Sequence, residues 1–133
     1  MVRRSSRLLH LLYNIRKARP TSRADGPGFL YAFVDHGHCW KIGMARDFDR
    51  RRAQWDRECP CIGRRWMPPL AVTRRRRAES LAHLLLEINC ADRPKDYCNR
   101  CRKRHIEVFH FVANRDLVWR TIVYPLLLQA ARA

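Results

Sequence analysis

Three side chains between residues 29 and 52 carry the chemistry of an anion site: the phenol of Tyr31, the ammonium of Lys41 and the guanidinium of Arg51. A guanidinium fork matches phosphate oxygens, and a buried phenol or ammonium needs a polar partner. Each belongs to an element with an apolar side. Phe29-Leu30-Tyr31-Ala32-Phe33-Val34 has the pattern of a strand covered on both faces. Asp35-His36-Gly37-His38 forms a turn, Cys39-Trp40-Lys41-Ile42 a returning strand, and Gly43 its end. Asp47 is placed to cap a helix bearing Arg50, Arg51 and Arg52, with Phe48 and Trp55 on its sheet side. Arg51 falls in that same stripe, so it either faces a polar site or snorkels past the aromatics to water. If the hairpin sets Tyr31 and Lys41 on one face, a polar site begins there.

A second helix, expected over residues 78–90, has two faces. Leu81, Leu84, Leu85 and Ile88 form an apolar stripe, with Glu79 and His83 almost opposite and flanked by Ala82 and Leu86. Such a helix is expected between the sheet and a terminal helix. Arg74-Arg75-Arg76-Arg77 precedes it, although cations at a helix N-terminus oppose the macrodipole. A phosphate at that helix end would account for them, as would a nuclear-import signal.

In this order, Phe29-Leu30-Tyr31, Lys41-Ile42-Gly43, Arg51, Ala78-Glu79 with His83, and His105-Ile106-Glu107-Val108-Phe109 resemble the motifs of the GIY-YIG nuclease superfamily. The likeness is to its divergent branch of phage-type DNA-binding domains, found also in fungal proteins. It covers about residues 28–112. Two departures are Lys41 for the second tyrosine and Val108 for the tryptophan of the closing motif. The resemblance implies that Glu79 holds Mg²⁺ by hard oxygen ligation, against its plainer reading as a surface carboxylate beside arginines. It also implies that Tyr31 takes or relays a proton, that Lys41 lowers the pKa of that phenol, and that Arg51 binds developing phosphoryl charge. The same trio could instead serve binding alone, on backbone phosphates.

The chain of 133 residues carries 28 Lys and Arg against 12 Asp and Glu, for a net charge of +16. With 47% hydrophobic residues it can bury a core, which sets it apart from a disordered polycation. The arginine excess points to a polyanion, DNA first, with RNA and an acidic membrane surface as alternatives. Arg50, Arg52, Arg74 to Arg77, Arg102, Lys103 and Arg104 are the candidate backbone contacts, and Arg64-Arg65 extends the positive surface.

Cys98-Asn-Arg-Cys101 followed by His105 has zinc-ligand spacing, with Cys59, Cys61 or Cys90 as the fourth ligand. Disulfides and buried thiols are the alternatives. No secretory signal is evident, so an intracellular setting is expected, nuclear by preference and mitochondrial as the alternative. His36 and His38 belong to the hairpin turn.

The fold class expected is a small α/β domain with a three-stranded antiparallel sheet over 29–34, 38–42 and roughly 69–73. Helices near 47–57 and 78–90 flank it, and a short strand is open at 105–111. Met67-Pro68-Pro69 delays the third strand. The organisation expected is a basic helix or arm at 1–19, a linker at 20–27, the domain at 28–112 and a helix at 113–133. The N-terminal segment has Leu8, Leu11, Leu12 and Ile15 as its stripe and is expected to dock or to act as an arm, with a mitochondrial presequence as the rival. Asn114 should cap the last helix and Pro125 should kink it, while Arg120 and the short length argue against a membrane span.

Overall fold

The computed structural model describes residues 3–94, 97, 98, 101–105 and 107–133. The side chain of Arg104, and Arg100 and Ile106 altogether, lie outside the described residues. Helix α1 (Ser6–Ala18) leads into β1 (Gly28–Asp35) and β2 (Cys39–Ala45). Helix α2 (Phe48–Glu58) precedes the short strands β3 (Arg65–Trp66) and β4 (Leu70–Val72). Helix α3 (Arg75–Asn89) is followed by a two-stranded hairpin, β5 (Tyr97–Cys98) and β6 (Lys103–Arg104), and by β7 (Val108–His110). The chain closes with α4 (Arg115–Val118), a π-helical turn (Trp119–Val123) and α5 (Tyr124–Arg132), consecutive along one stretch.

The main sheet has five strands where three were expected. Strand β1 pairs antiparallel with β2 on one side and with β3 and β4 in succession on the other, while β7 extends the sheet beyond β2. The third strand is in place at β4. Strand β3 is too short to show as an alternating pattern. The open strand near 105–111 forms as β7, in three residues. The turn after β1 has His36 and Gly37 both in the left-handed region, at φ 56° and 77°, which suits the twist of a tight hairpin.

The larger core lies between the sheet and the helices α1, α3 and α5. Leu30, Ala32 and Val34 from β1, Trp40 and Ile42 from β2, and Leu81, Ala82, Leu85 and Leu86 from α3 meet there with Val118, Val123 and Leu127. Helix α3 is sandwiched as its two apolar faces require. A smaller cluster on the opposite sheet face holds Tyr31, Phe33 and Ala45 against Phe48 and Trp55 of α2 and Trp66.

Helix α3 begins three residues earlier than expected, because its cap comes from a distant part of the chain. Asp25 accepts from the backbone N–H groups of Arg76 and Arg77 at 2.9 and 3.0 Å. Helix α1 docks on α3, but through Leu9 and Tyr13; Leu8, Leu11 and Ile15 of the expected stripe face outward. Arg4 fastens this segment to the fully buried Glu87 through its backbone N–H and its guanidinium. At the other end Asn114 caps α4 as expected, accepting from Asp116 N at 2.9 Å. The π-helical turn widens the helix just before Pro125, whose ring cannot donate a backbone bond and crowds the preceding turn. Among the described residues no helix is long and apolar enough to cross a membrane.

Candidate functional site

The hairpin register decides whether the polar trio can meet. Tyr31 pairs with Gly43 and Phe33 with Lys41, so Tyr31 and Lys41 share one face as diagonal neighbours. That face is covered by α2, which Asp47 caps by accepting from Arg50 N at 3.1 Å. Gly43 is required by contact rather than by backbone freedom: a Cβ there would clash with the Tyr31 hydroxyl oxygen and the ring carbon that bears it. Trp55 of α2 donates its indole N–H to the Tyr31 hydroxyl at 3.0 Å. The Lys41 ammonium sits 5.4 Å from the Trp55 ring centre and makes an ion pair of 2.6 Å with Glu107.

Arg51, one turn before Trp55, is exposed, and its charge acts on both Tyr31 and Glu79. Burial pushes the Tyr31 phenol above its ordinary value, against the Trp55 hydrogen bond and the positive charge of Arg51. At neutral pH Tyr31 is therefore a phenol that accepts from Trp55 and keeps its own proton to donate. With Gln54, Trp55, Glu58, Lys103 and His105, Arg51 lines a hollow of about 230 Å³.

Glu79 reaches the same region from α3. Burial, then repulsion from Glu107, pushes its carboxyl up to about 7, although Lys41 and Arg51 pull the other way. Glu107 is the opposite case: burial raises it, but the Lys41 hydrogen bond and charge prevail and hold it below the usual carboxylate range. Ligand atoms of Glu79, His83 and Glu107 lie within 4.8 Å of one another. His83 Nε2 lies 2.9 Å from the Ile42 carbonyl oxygen, which can only accept; Nε2 therefore carries the proton and Nδ1 is the ring's acceptor. Two carboxylates facing each other, one of them left uncomfortable by the other, suit a hard divalent cation. Glu107 and His83 were absent from the residues assigned to the site from sequence, although H-x-E and the four-residue step from Glu79 both pointed to them.

A second cluster borders this one. Cys59, Cys98, Cys101 and His105 bring their ligand atoms within 4.8 Å of one another. Of the three candidates for a fourth ligand, the fold selects Cys59. Cys90 lies under α3 with its thiol on the Glu87 carbonyl, and Cys61 turns toward the Ile62 carbonyl. Burial, then the neighbouring thiols of Cys101 and Cys98, pushes the Cys59 thiol up to about 12.

The basic residues divide into two groups. Arg50, Arg51, Arg52, Arg74, Arg76, Arg102 and Lys103 are exposed. Arg75 is buried, with its guanidinium on the Pro27 carbonyl, and Arg77 donates to the carbonyls of Lys17 and Arg19 at the end of α1. The helix end expected to receive a phosphate holds the Asp25 carboxylate instead. Arg64, read as part of the positive surface, is enclosed: it forks onto Asp35 at 2.9 and 3.0 Å and lies over the Phe33 ring.

A sheet tyrosine and lysine thus lie within electrostatic reach of a helical arginine and of a glutamate from the next helix, in an α/β domain. The T5orf172 domain family matches residues 28–121, and the chain belongs to that GIY-YIG-like, phage-type domain family. The match continues past residue 112 into the C-terminal helical stretch. No curated protein and no solved structure matches the chain.

Proposed function

We propose that this protein binds the phosphate backbone of DNA across the face formed by α2 and the β5–β6 hairpin. The observation that carries this reading is that Tyr31 and Lys41 share one sheet face, with the charge of Arg51 from α2 acting on Tyr31 and on Glu79 of α3, beside exposed Arg50, Arg52, Arg102 and Lys103. A duplex carries one charge per ~1.7 Å of axis, so several guanidinium groups on one face engage it without reading bases. Arg51 is the member best placed to contact a phosphate oxygen, because it is exposed and not held in an ion pair among the described residues.

A second reading, phosphodiester hydrolysis, is favoured by the cluster of Glu79, His83 and Glu107. Mg²⁺ held there would polarise a phosphoryl oxygen and ease departure of the leaving oxygen. Around it, Tyr31 would relay the proton of the attacking water, accepting it as the phenol passes its own proton to solvent, and Arg51 would steady the charge that gathers on the phosphoryl oxygens. Lys41, neutralised by Glu107 in the resting state, would keep Glu107 ionised and facing Glu79. Incubating plasmid with the purified protein, with and without Mg²⁺, separates the readings. Nicking that needs Mg²⁺ and fails in Arg51→Ala and Glu79→Gln supports hydrolysis. Retained binding without nicking leaves the backbone-binding reading alone, and no binding at low salt overturns both.

A further inference from the structure

We infer that Cys59, Cys98, Cys101 and His105 form a tetrahedral structural Zn²⁺ site that clips the end of α2 to the β5–β6 hairpin. The inference is independent of what the neighbouring nuclease-like face binds or cleaves. Zinc bonds of ~2.3 Å to sulfur and ~2.0–2.1 Å to nitrogen give tetrahedral edges of about 3.8 Å between sulfurs and about 3.6 Å between sulfur and nitrogen. The structure has Cys59 and Cys98 sulfurs 3.5 Å apart, with His105 Nε2 at 3.7 Å from the Cys59 sulfur and 3.2 Å from that of Cys101.

The backbone is shaped for the same purpose. Arg102, directly after the second cysteine of C-x-x-C, adopts φ 58°, and its N–H donates to the Cys98 carbonyl at 2.8 Å. That bond accompanies the approach of the Cys98 and Cys101 sulfurs to within 4.8 Å of each other. A left-handed arginine is strained, and a hairpin of two residues per strand is marginal alone. None of the three cysteines or His105 belongs to either hydrophobic cluster among the described residues, so apolar burial does not explain their meeting. Three thiolates and an imidazole are a soft donor set, distinct from the hard oxygens of Glu79 and Glu107, so the two clusters select different cations.

The clip has a consequence for the neighbouring face. His105 packs on Trp55 with ring centres 5.4 Å apart, and Trp55 holds the Tyr31 hydroxyl. Glu107, two residues beyond His105, pairs with Lys41. Fixing His105 therefore fixes both partners of the sheet-borne polar groups.

The test is the metal content of the full chain, purified under reducing conditions without chelator, for wild type, Cys59→Ser, Cys101→Ser and the control Cys61→Ser. One zinc per chain in wild type and Cys61→Ser, lost in the other two, is the expected result. Chelation should lower the Tm of wild type and Cys61→Ser alike. Should the Cys59 or Cys101 variant fail to fold, refilling the wild type with Co²⁺ decides: tetrahedral d–d bands with thiolate charge transfer are expected. A wild type that holds no metal and keeps its Tm under chelator would overturn the inference, as would a Cys59–Cys98 disulfide in non-reducing peptide mapping.

Discussion

At the scale of single residues, Gly43 and Tyr31 are one unit. The Gly43→Ala methyl must displace a ring that Trp55 holds by hydrogen bond, so it should destabilise by about 1–3 kcal/mol in denaturant unfolding. In a Tyr31→Ala background the same change should cost far less, and additive costs would contradict the contact. Glu79 gives a pH signature. Its folded pKa, about 7, lies above the ordinary carboxylate value. In the metal-free protein its contribution to stability is thus present below about pH 4.5 and lost as pH rises through about 7. Mg²⁺ must displace that proton below about pH 7, so its affinity should fall about tenfold per pH unit there and level off above. Calorimetric Mg²⁺ titrations between pH 6 and 8 check this, and a flat profile would remove Glu79 as the ligand. Tyr31, Lys41, Arg51 and Glu79 could be named from sequence because the motif order tied them together. The motif order pointed to Glu107 and His83 as well, but their meeting could not be read there: it depends on β7 joining β2, and three residues carry too little pattern to say so.

At the scale of elements, charge at the ends of helices decides more than helix propensity does. Four arginines at the start of α3 suggested a bound phosphate, because the first turn of that helix holds no acid to offset them. Asp25, fifty-one residues before Arg76, supplies the carboxylate. Its pKa is lowered: burial works upward, and the N–H groups of Arg76, Arg77 and Gly26 outweigh it. Asp25→Ala should cost about 1–2 kcal/mol, measured by denaturant midpoint, since it removes a cap at a helix end crowded with cations. Glu87 is the matching anchor for α1. Burial works upward on it too, but the Arg4 and Arg93 hydrogen bonds bring its carboxyl down to about 2. The stabilisation it gives is present above the ordinary value of 4.5 and drains as pH falls toward about 2. Glu87→Gln should therefore flatten the acid limb of the stability curve and cost about 2 kcal/mol at pH 7, less than a fully enclosed pair because Arg4 reaches water. Helix existence was legible from caps and stripes at Asp47, Asn114 and Leu81. The face of α1 was not, since Leu8, Leu11 and Ile15 make as good a stripe as Leu9 and Tyr13 until α3 chooses.

At the scale of the whole molecule, a net charge of +16 says that a polyanion is attracted but not where it lies. The fold sorts the cations: Arg64, Arg75 and Arg77 hold carboxylates and carbonyls of the protein itself, while Arg50, Arg51, Arg52, Arg102 and Lys103 remain exposed. No composition argument could have made that division, because it rests on partners dozens of residues away. Replacing a cation of the first group should lower stability and leave the salt dependence of binding unchanged; replacing one of the second should do the reverse. The decisive measurement is duplex DNA binding by fluorescence anisotropy over a series of salt concentrations, for wild type and for Arg51→Ala with Lys103→Ala. A steep log–log slope in wild type, made shallower by roughly 1.8 in the double variant as two phosphate contacts vanish, is the result expected. Equal slopes and affinities in the two proteins would contradict the account.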